Sequence, residues 1–202
     1  MTGWVTPVRL TGHFVALEPL EQSHLAELRA ITGDPRCFAY LSLDLGAPGA
    51  LENWYEQASE AAAKGEQLVF VKRRLADRQL VGSTRYMNIA APHRRLEIGW
   101  TWLAPSAWGG PLNTEAKLLL LTHAFESLGT HRVEFRTDAR NERSQAAIAA
   151  LGAVREGVFH RHMVVRDGFV RDTVQFAIVD RDWPMLRSRL EARLIAKARH
   201  PA

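Results

Sequence analysis

The chain carries one cysteine, Cys37, in 202 residues, so no disulfide can close within it. That excludes a disulfide-dense scaffold and makes a reducing cytoplasm the expected compartment. Long apolar runs are missing too. The longest aliphatic block spans residues 118–121, far short of the roughly 20 residues that cross a bilayer. The opening MTGWVTPVRLTGHFVALEPL has no basic start followed by a continuous apolar stretch, and it reads as a strand rather than a signal peptide. No linker, repeat or low-complexity tract divides the chain. One domain over residues 1–202 is expected, with a core at 7–182 and a C-terminal helix at 183–198. Charge of one sign is scarce: 26 basic against 22 acidic residues leave +4. Such an excess suits phosphate-rich ligands but is too small to mark a nucleic-acid binder.

What is present is the composition of a globular protein, 47% apolar and 24% charged. Apolar and β-branched residues alternate, or nearly so, through 8–17, 67–72, 80–87 and 96–103, as in half-buried strands. Ser23 is placed to cap a short helix carrying Leu25 and Leu28 and closed near Gly33-Asp34-Pro35. A loop over 39–49 and a helix over 51–64, ended by Gly65, follow. Between Asn113 and Leu128 the period becomes helical, with Leu118, Leu121, Phe125 and Leu128 in register and Gly129 as the stop. A strand at 131–137, a short helix between Asn141 and Gly152, and strands at 154–165 and 169–179 come next. A helix from Trp183 carries Leu186, Leu190 and Leu194, and residues 197–200 read as a frayed basic tail. The pattern is mixed α/β, mostly antiparallel, with a parallel crossover in the strand–helix–strand stretch 96–137.

The most informative segment is Trp102-Leu-Ala-Pro-Ser-Ala-Trp-Gly-Gly-Pro-Leu-Asn-Thr-Glu-Ala116, a glycine-bearing loop between a strand and the long helix. Helix starts present free amides and a positive dipole end, which suits phosphate or pyrophosphate. Gly109 and Gly110 have no side chain to block a close approach, and Asn113 or Thr114 is placed to cap the helix. On spacing alone, a plain turn explains the glycines equally well.

This segment, with Glu97-Ile-Gly-Trp, His131-Arg-Val-Glu, Asn141-Glu-Arg-Ser, Leu151-Gly-Ala, Arg155-Glu-Gly and Arg171-Asp-Thr, resembles the GNAT superfamily of acyl-CoA-dependent N-acetyltransferases. The closest branch is the one like the RimJ/RimL ribosomal-protein N-terminal acetyltransferases. The resemblance implies a central mixed sheet with a splayed, bulged strand and helices on both faces. It implies acetyl-CoA as cosubstrate, its pantetheine arm on the backbone of 97–103, including Trp102 and Leu103. Its pyrophosphate would lie on Trp108, Gly109, Gly110, Leu112, Asn113 and Thr114. By the same resemblance Asn141 contacts the pantetheine arm, Ser144 protonates the departing thiolate, and Glu97 takes a proton from the amine. The chain departs from the family at Pro111, where glycine is usual, and at Asn113, where a small residue is usual. The proline removes one amide donor.

Read without the resemblance, Asn141 and Ser144 form a helix cap, and Glu97 is a surface carboxylate paired with Arg94 or Arg95. His160 and His162 share one strand face by alternation. No third ligand accompanies them, so no metal is expected, whereas a histidine base is chemically apt near neutrality. Cys37 reads as a bystander thiol. Trp100, Trp102 and Trp108 read as core or cleft wall; no single-strand binding groove is evident. The expected reaction is direct acetyl transfer to a primary amine, on a protein N-terminus or a small molecule, without membrane or specific nucleic-acid partners. A homodimer is compatible with the family. The alternative is a catalytically silent acyl-CoA-binding sensor or interaction module.

Overall fold

The computed structural model describes residues 3–199. Alternating side chains give its strands their faces: β1 (Leu10–Thr11), β2 (Val15–Pro19), β3 (Leu68–Arg74), β4 (Leu80–Ala90), β5 (Arg95–Leu103), β6 (Arg132–Asp138), β7 (Val154–Val164) and β8 (Val170–Val179). They form one sheet in the order β1-β2-β3-β4-β5-β6-β8-β7. Neighbours pair antiparallel except β5 and β6, which are parallel. The helices are α1 (Leu25–Ile31), α2 (Ala50–Ala63), α3 (Leu112–Thr122), α4 (Glu142–Ala149) and α5 (Trp183–Arg199). Parallel neighbours need a crossover, and α3 is it.

The helices divide between the sheet's two faces. Leu28 of α1 and Leu51, Trp54 and Ala58 of α2 bury against Val69, Val71 and Trp102. Leu120, Leu121, Ile148, Trp183, Leu186 and Leu190, from α3, α4 and α5, bury against Phe70, Ile98, Phe135 and Phe176 on the other face. Each such aliphatic side chain contributes about 1.5–3 kcal/mol when fully buried. After α3 the helix widens into a π-type turn over His123–Ser127, and Gly129, at φ 62°, ends it. Among the described residues, no helix is long and apolar enough to cross a membrane.

Three local expectations are corrected. Ser23 lies inside a 3₁₀ turn whose N-cap is Glu21, in a reciprocal capping box with His24. The cap of α3 is Pro111, not Asn113 or Thr114. Residues 197–199 are not a frayed tail: α5 continues through Arg199, while His200 lies outside the described residues.

Glu115 ties α3 to the start of the sheet. Its carboxylate is 2% exposed and accepts the backbone N–H groups of His13 at 2.7 Å, Phe14 at 2.7 Å and Val15 at 2.9 Å. A Cβ at Gly12 would lie 2.3 Å from the Glu115 carboxyl carbon, so only glycine fits the turn beneath it. Replacing Glu115 with alanine leaves three backbone donors unanswered, one buried and two partly buried. Urea unfolding of Glu115→Ala is expected to show a loss of about 3 kcal/mol, the scale of a removed charged acceptor.

Candidate active site

Parallel pairing between β5 and β6 covers Arg95↔Arg132, Leu96↔Val133 and Glu97↔Glu134 and then stops. β5 runs on to Leu103 and β6 to Asp138, so residues 98–103 and 135–138 diverge without ladder bonds between them. Backbone polar groups inside a protein require partners. A ligand that brings its own amides can supply them.

A bulge accompanies the divergence. Ser83 pairs with Trp102 and Arg85 with Gly99, leaving Thr84 alone opposite both Trp100 and Thr101. Trp100 takes φ 49°, a left-handed conformation that costs a bulky side chain of order 1–3 kcal/mol. Such bulges re-aim side chains and are frequent beside active sites. Here the bulge places Trp100 and Trp102 on the α1/α2 face and Thr101 on the α3 face.

Beyond β5, the loop to α3 is fastened at both ends. The Trp108 indole N–H donates to the Leu103 carbonyl at 2.8 Å. Lys197 of α5 donates to the Gly109 carbonyl at 3.2 Å. Gly109 has φ 83°, and a Cβ on Gly110 would meet nothing within 4 Å. The first intrahelical bond of α3 is Glu115 N–H to Pro111 O, at 2.9 Å. The N–H groups of Leu112, Asn113 and Thr114 therefore remain outside the helical ladder, at the positive end of the dipole. Pro111 removes one donor from the set of four and leaves three. The Leu112 and Thr114 side chains are buried, and the Asn113 amide oxygen accepts from Lys72 at 3.1 Å. Backbone N–H groups, not side chains, are what this turn can offer an anion. A cavity of about 380 Å³ borders the loop, lined in part by Arg74, Ser106, Trp108, Gly110 and Pro111.

The start of α4 lies against the same loop, with the Arg143 guanidinium 4.4 Å from the Trp108 ring centroid. Asn141 caps α4, its side-chain oxygen accepting the Ser144 N–H at 3.0 Å. Ser144, in the first turn, is half-buried. Free helix N–H groups, open space over Gly110 and nearby cations fit a diphosphate; the parted strands fit a pantetheine arm. Trp102 is packed at 5.2 Å against Phe38 on the far side of the sheet, so it can offer such a ligand backbone only.

Glu97 is the last β5 residue paired to β6, and it is 4% exposed. Neither Arg94 nor Arg95 is its partner. Oε2 accepts from Asn88 at 2.8 Å and lies 3.4 Å from Arg136 Nε. Oε1 leans over Gly99, 3.1 Å from where a Cβ would stand. Burial raises the Glu97 pKa, against the lowering effect of Arg136 and the Asn88 hydrogen bond. His160 and His162 do not share a face. Arg161, at φ 49°, breaks the alternation, and the two imidazoles bond to Asp172 and Thr173, successive β8 residues on opposite faces. His160 is exposed. His162 has its pKa lowered, by burial first and then by Arg136 and Arg171, which also act on Glu97. Cys37 is half-buried, and burial raises its thiol pKa. Among the described residues, no group of three His, Cys, Asp or Glu could hold a metal ion.

Residues 15–154 match the family model for the acetyltransferase (GNAT) domain. The chain belongs to the GNAT acetyltransferase family. This GNAT sequence is 28% identical to YdaF of Bacillus subtilis (strain 168), named as a candidate ribosomal N-acetyltransferase, over 83% of the chain and 90% of YdaF. It is 31% identical to a GCN5-related N-acetyltransferase structure from Brucella melitensis, with TM-score 0.87 over 94% of this chain and 86% of that one. Against RimJ of Mycobacterium smegmatis, solved with CoA-disulfide, identity is 27% and TM-score 0.74, over 93% of each chain. The protein is an acetyl-CoA-dependent N-acetyltransferase.

The sequence reading missed the lysines beneath this GNAT site. Lys117 of α3 donates to Thr101 at 2.7 Å, and Thr101 contacts Thr84 at 2.8 Å. Burial lowers the Lys117 pKa to about 7. Lys72 is fully buried and its pKa is lowered well below the usual range, by desolvation and then by Lys117. The available signal was a lysine in each of two otherwise apolar runs, 68–72 and 116–121. Between pH 7 and the ordinary lysine pKa, near 10.4, the unfolded chain binds more protons than the folded one, so stability rises with pH. The urea midpoint is expected to climb between pH 7 and 9, and Lys117→Met to flatten that climb.

Proposed function

We propose that the enzyme acetylates its acceptor by direct transfer, with Glu97 as the base and Ser144 as the acid. The observation that carries this reading is the Glu97 Oε1 atom, leaning over Gly99 beside the bulge where β5 and β6 part. Acetyl-CoA supplies the acetyl group as an activated thioester. The free N–H groups of 112–114 would hold its diphosphate, with Gly110 giving room and Arg143 and Lys197 adding positive charge. The backbone of 98–103 would take its pantetheine arm, and a bulge N–H would polarise the carbonyl.

An amine reaches the site largely protonated, since α-amino and lysine pKa values lie near 8 and 10.4. The ammonium gives its first proton to solvent; Glu97 Oε1 takes the second, shed as the neutral nitrogen bonds the acetyl carbon, and then returns it to solvent. A raised pKa makes that carboxylate a better base than a surface glutamate. Ser144 Oγ gives a proton to the sulfur freed when the carbon–sulfur bond breaks, and regains one from solvent. The acceptor is a protein N-terminus or a small primary amine; similarity to RimJ and YdaF supports the former. One domain in the cytoplasm, where acetyl-CoA is available, completes the reading.

Two measurements test it. CoA at 100 times its Kd should stabilise the fold by about 2.7 kcal/mol. Gly110→Asp, whose side chain enters open space, should fold normally yet lose most of that melting shift. In steady-state assays Glu97→Gln should cut turnover by about 10²–10⁴-fold, more than Ser144→Ala does, while still binding acetyl-CoA. The wild-type rate should rise with pH through the elevated Glu97 pKa, and that limb should vanish in Glu97→Gln. Full activity in Glu97→Gln would move the base to His162.

A further inference from the structure

Arg85 is a buried cation that no carboxylate pairs with among the described residues. Arg85, in the middle of β4, is 6% exposed and lies on the face that α1 and α2 cover. Its Nη1 donates to Gln67 Oε1 at 2.7 Å. Its Nε and Nη2 are buried without an acceptor. The guanidinium sits between two indoles, 4.7 Å from the Trp100 centroid and 5.7 Å from that of Trp54. Its cross-strand neighbours are Val69 and Gly99, which bring no charge. Only burial moves its pKa, down to about 10.

Indole faces answer part of a cation's need, but they do not fill N–H donors. An isolated charge out of water is strongly unfavourable unless paired and hydrogen-bonded. The indole N–H groups of Trp54 and Trp102, in the same cluster, also lack acceptors. Every orphan in this cluster is a donor, so the group that would satisfy it is an anion. Nε and Nη2 together form the side-on fork of a guanidinium, which matches the two oxygens of a carboxylate.

We propose that Arg85 receives a carboxylate carried by the acceptor, so that the amine acetylated here is one bearing an acid group a few bonds from its nitrogen. The geometry follows from register. Gly99 stands opposite Arg85 and Glu97 opposite Met87, making Arg85 and Glu97 diagonal neighbours on one face, about 7–8 Å apart at the backbone. An acceptor with its nitrogen at Glu97 Oε1 and its acid at Arg85 spans the bulge. Trp100, half-buried at that bulge, lies over the Arg85 guanidinium and would have to swing aside to admit it. The proposal rests on the placement of Glu97 as base.

The test compares aminoalkanoates of two to six carbons with their neutral amides, and in a parallel arm tetrapeptides with Asp or Asn at the second position. The acid is expected to exceed the amide in kcat/KM by about ten- to hundredfold, the size of a charge-assisted hydrogen bond. Arg85→Gln should bring that ratio near one. Arg85→Lys, which keeps the charge and loses the fork, should give an intermediate ratio and covers a failure of the glutamine variant to fold. Hexanoate, which has no amine, should raise the melting temperature of wild type, raise that of Arg85→Lys less, and leave that of Arg85→Gln unchanged. A preference only among the peptides places the acid on a side chain of a polypeptide acceptor. A hexanoate shift that Arg85→Gln abolishes, with no amine turned over, upholds the anion site and removes the transfer reading. Equal ratios in wild type, a preference that survives in both Arg85 variants, or no Arg85-dependent effect in either arm would overturn the proposal.

Discussion

The early parting of β5 from β6 is the constraint on which the site depends. Two parallel strands that stayed paired would consume their own backbone groups and leave no room for a ligand. Pairing that ends at Glu97↔Glu134, with a bulge at Trp100 and Thr101, opens a wedge through the sheet. α3 packs on one face beside that wedge, and Glu97 and Arg85 lie on the other. In the proposed reaction cosubstrate and acceptor meet at this gap, which is how orientation lowers a bimolecular barrier.

Burying so many charges around that gap is costly. Glu97 is held by Asn88 and Arg136, and Lys117 by Thr101. Paired or hydrogen-bonded, such groups are tolerable; alone, they are not. The covering is uneven as well. α1 and α2 pack over β3, β4 and the end of β5, whereas the β6–β8 part of that face carries Glu134, Arg136, Asp138, Thr173 and Gln175, polar residues that are buried or nearly so. An apolar helix could not seat there without stranding those groups. On the opposite face α5 runs back along α3 until Lys197 meets Gly109, so the chain's final helix braces the turn that α3 begins.

Much of this was legible in the residues. Alternation gave the strands, Gly65, Gly129 and Gly152 marked helix ends, and the segment 102–116 marked a glycine-bearing loop between a strand and a helix. Asn141 read correctly as a cap for Ser144 because a cap is a local hydrogen bond between residues three apart. Ser23 misled because a neighbour, Glu21, offers its own oxygen to the same turn. Asn113 misled because Lys72, far away in sequence, takes its side chain. Alternation failed at His160 and His162 because Arg161 adopts a left-handed backbone, a choice made by pairing with β8.

By itself, then, the sequence determined the elements, their order and the family, since period, caps and turn residues act over a few positions. Only the tertiary structure decided that Glu97 is buried against Arg136, that Lys72 and Lys117 lie side by side in the interior, and that Arg85 stands between two indoles with its fork unfilled. Charge and burial are properties of what surrounds a side chain. Those surroundings come from strands and helices tens of residues away, brought together only when the sheet forms.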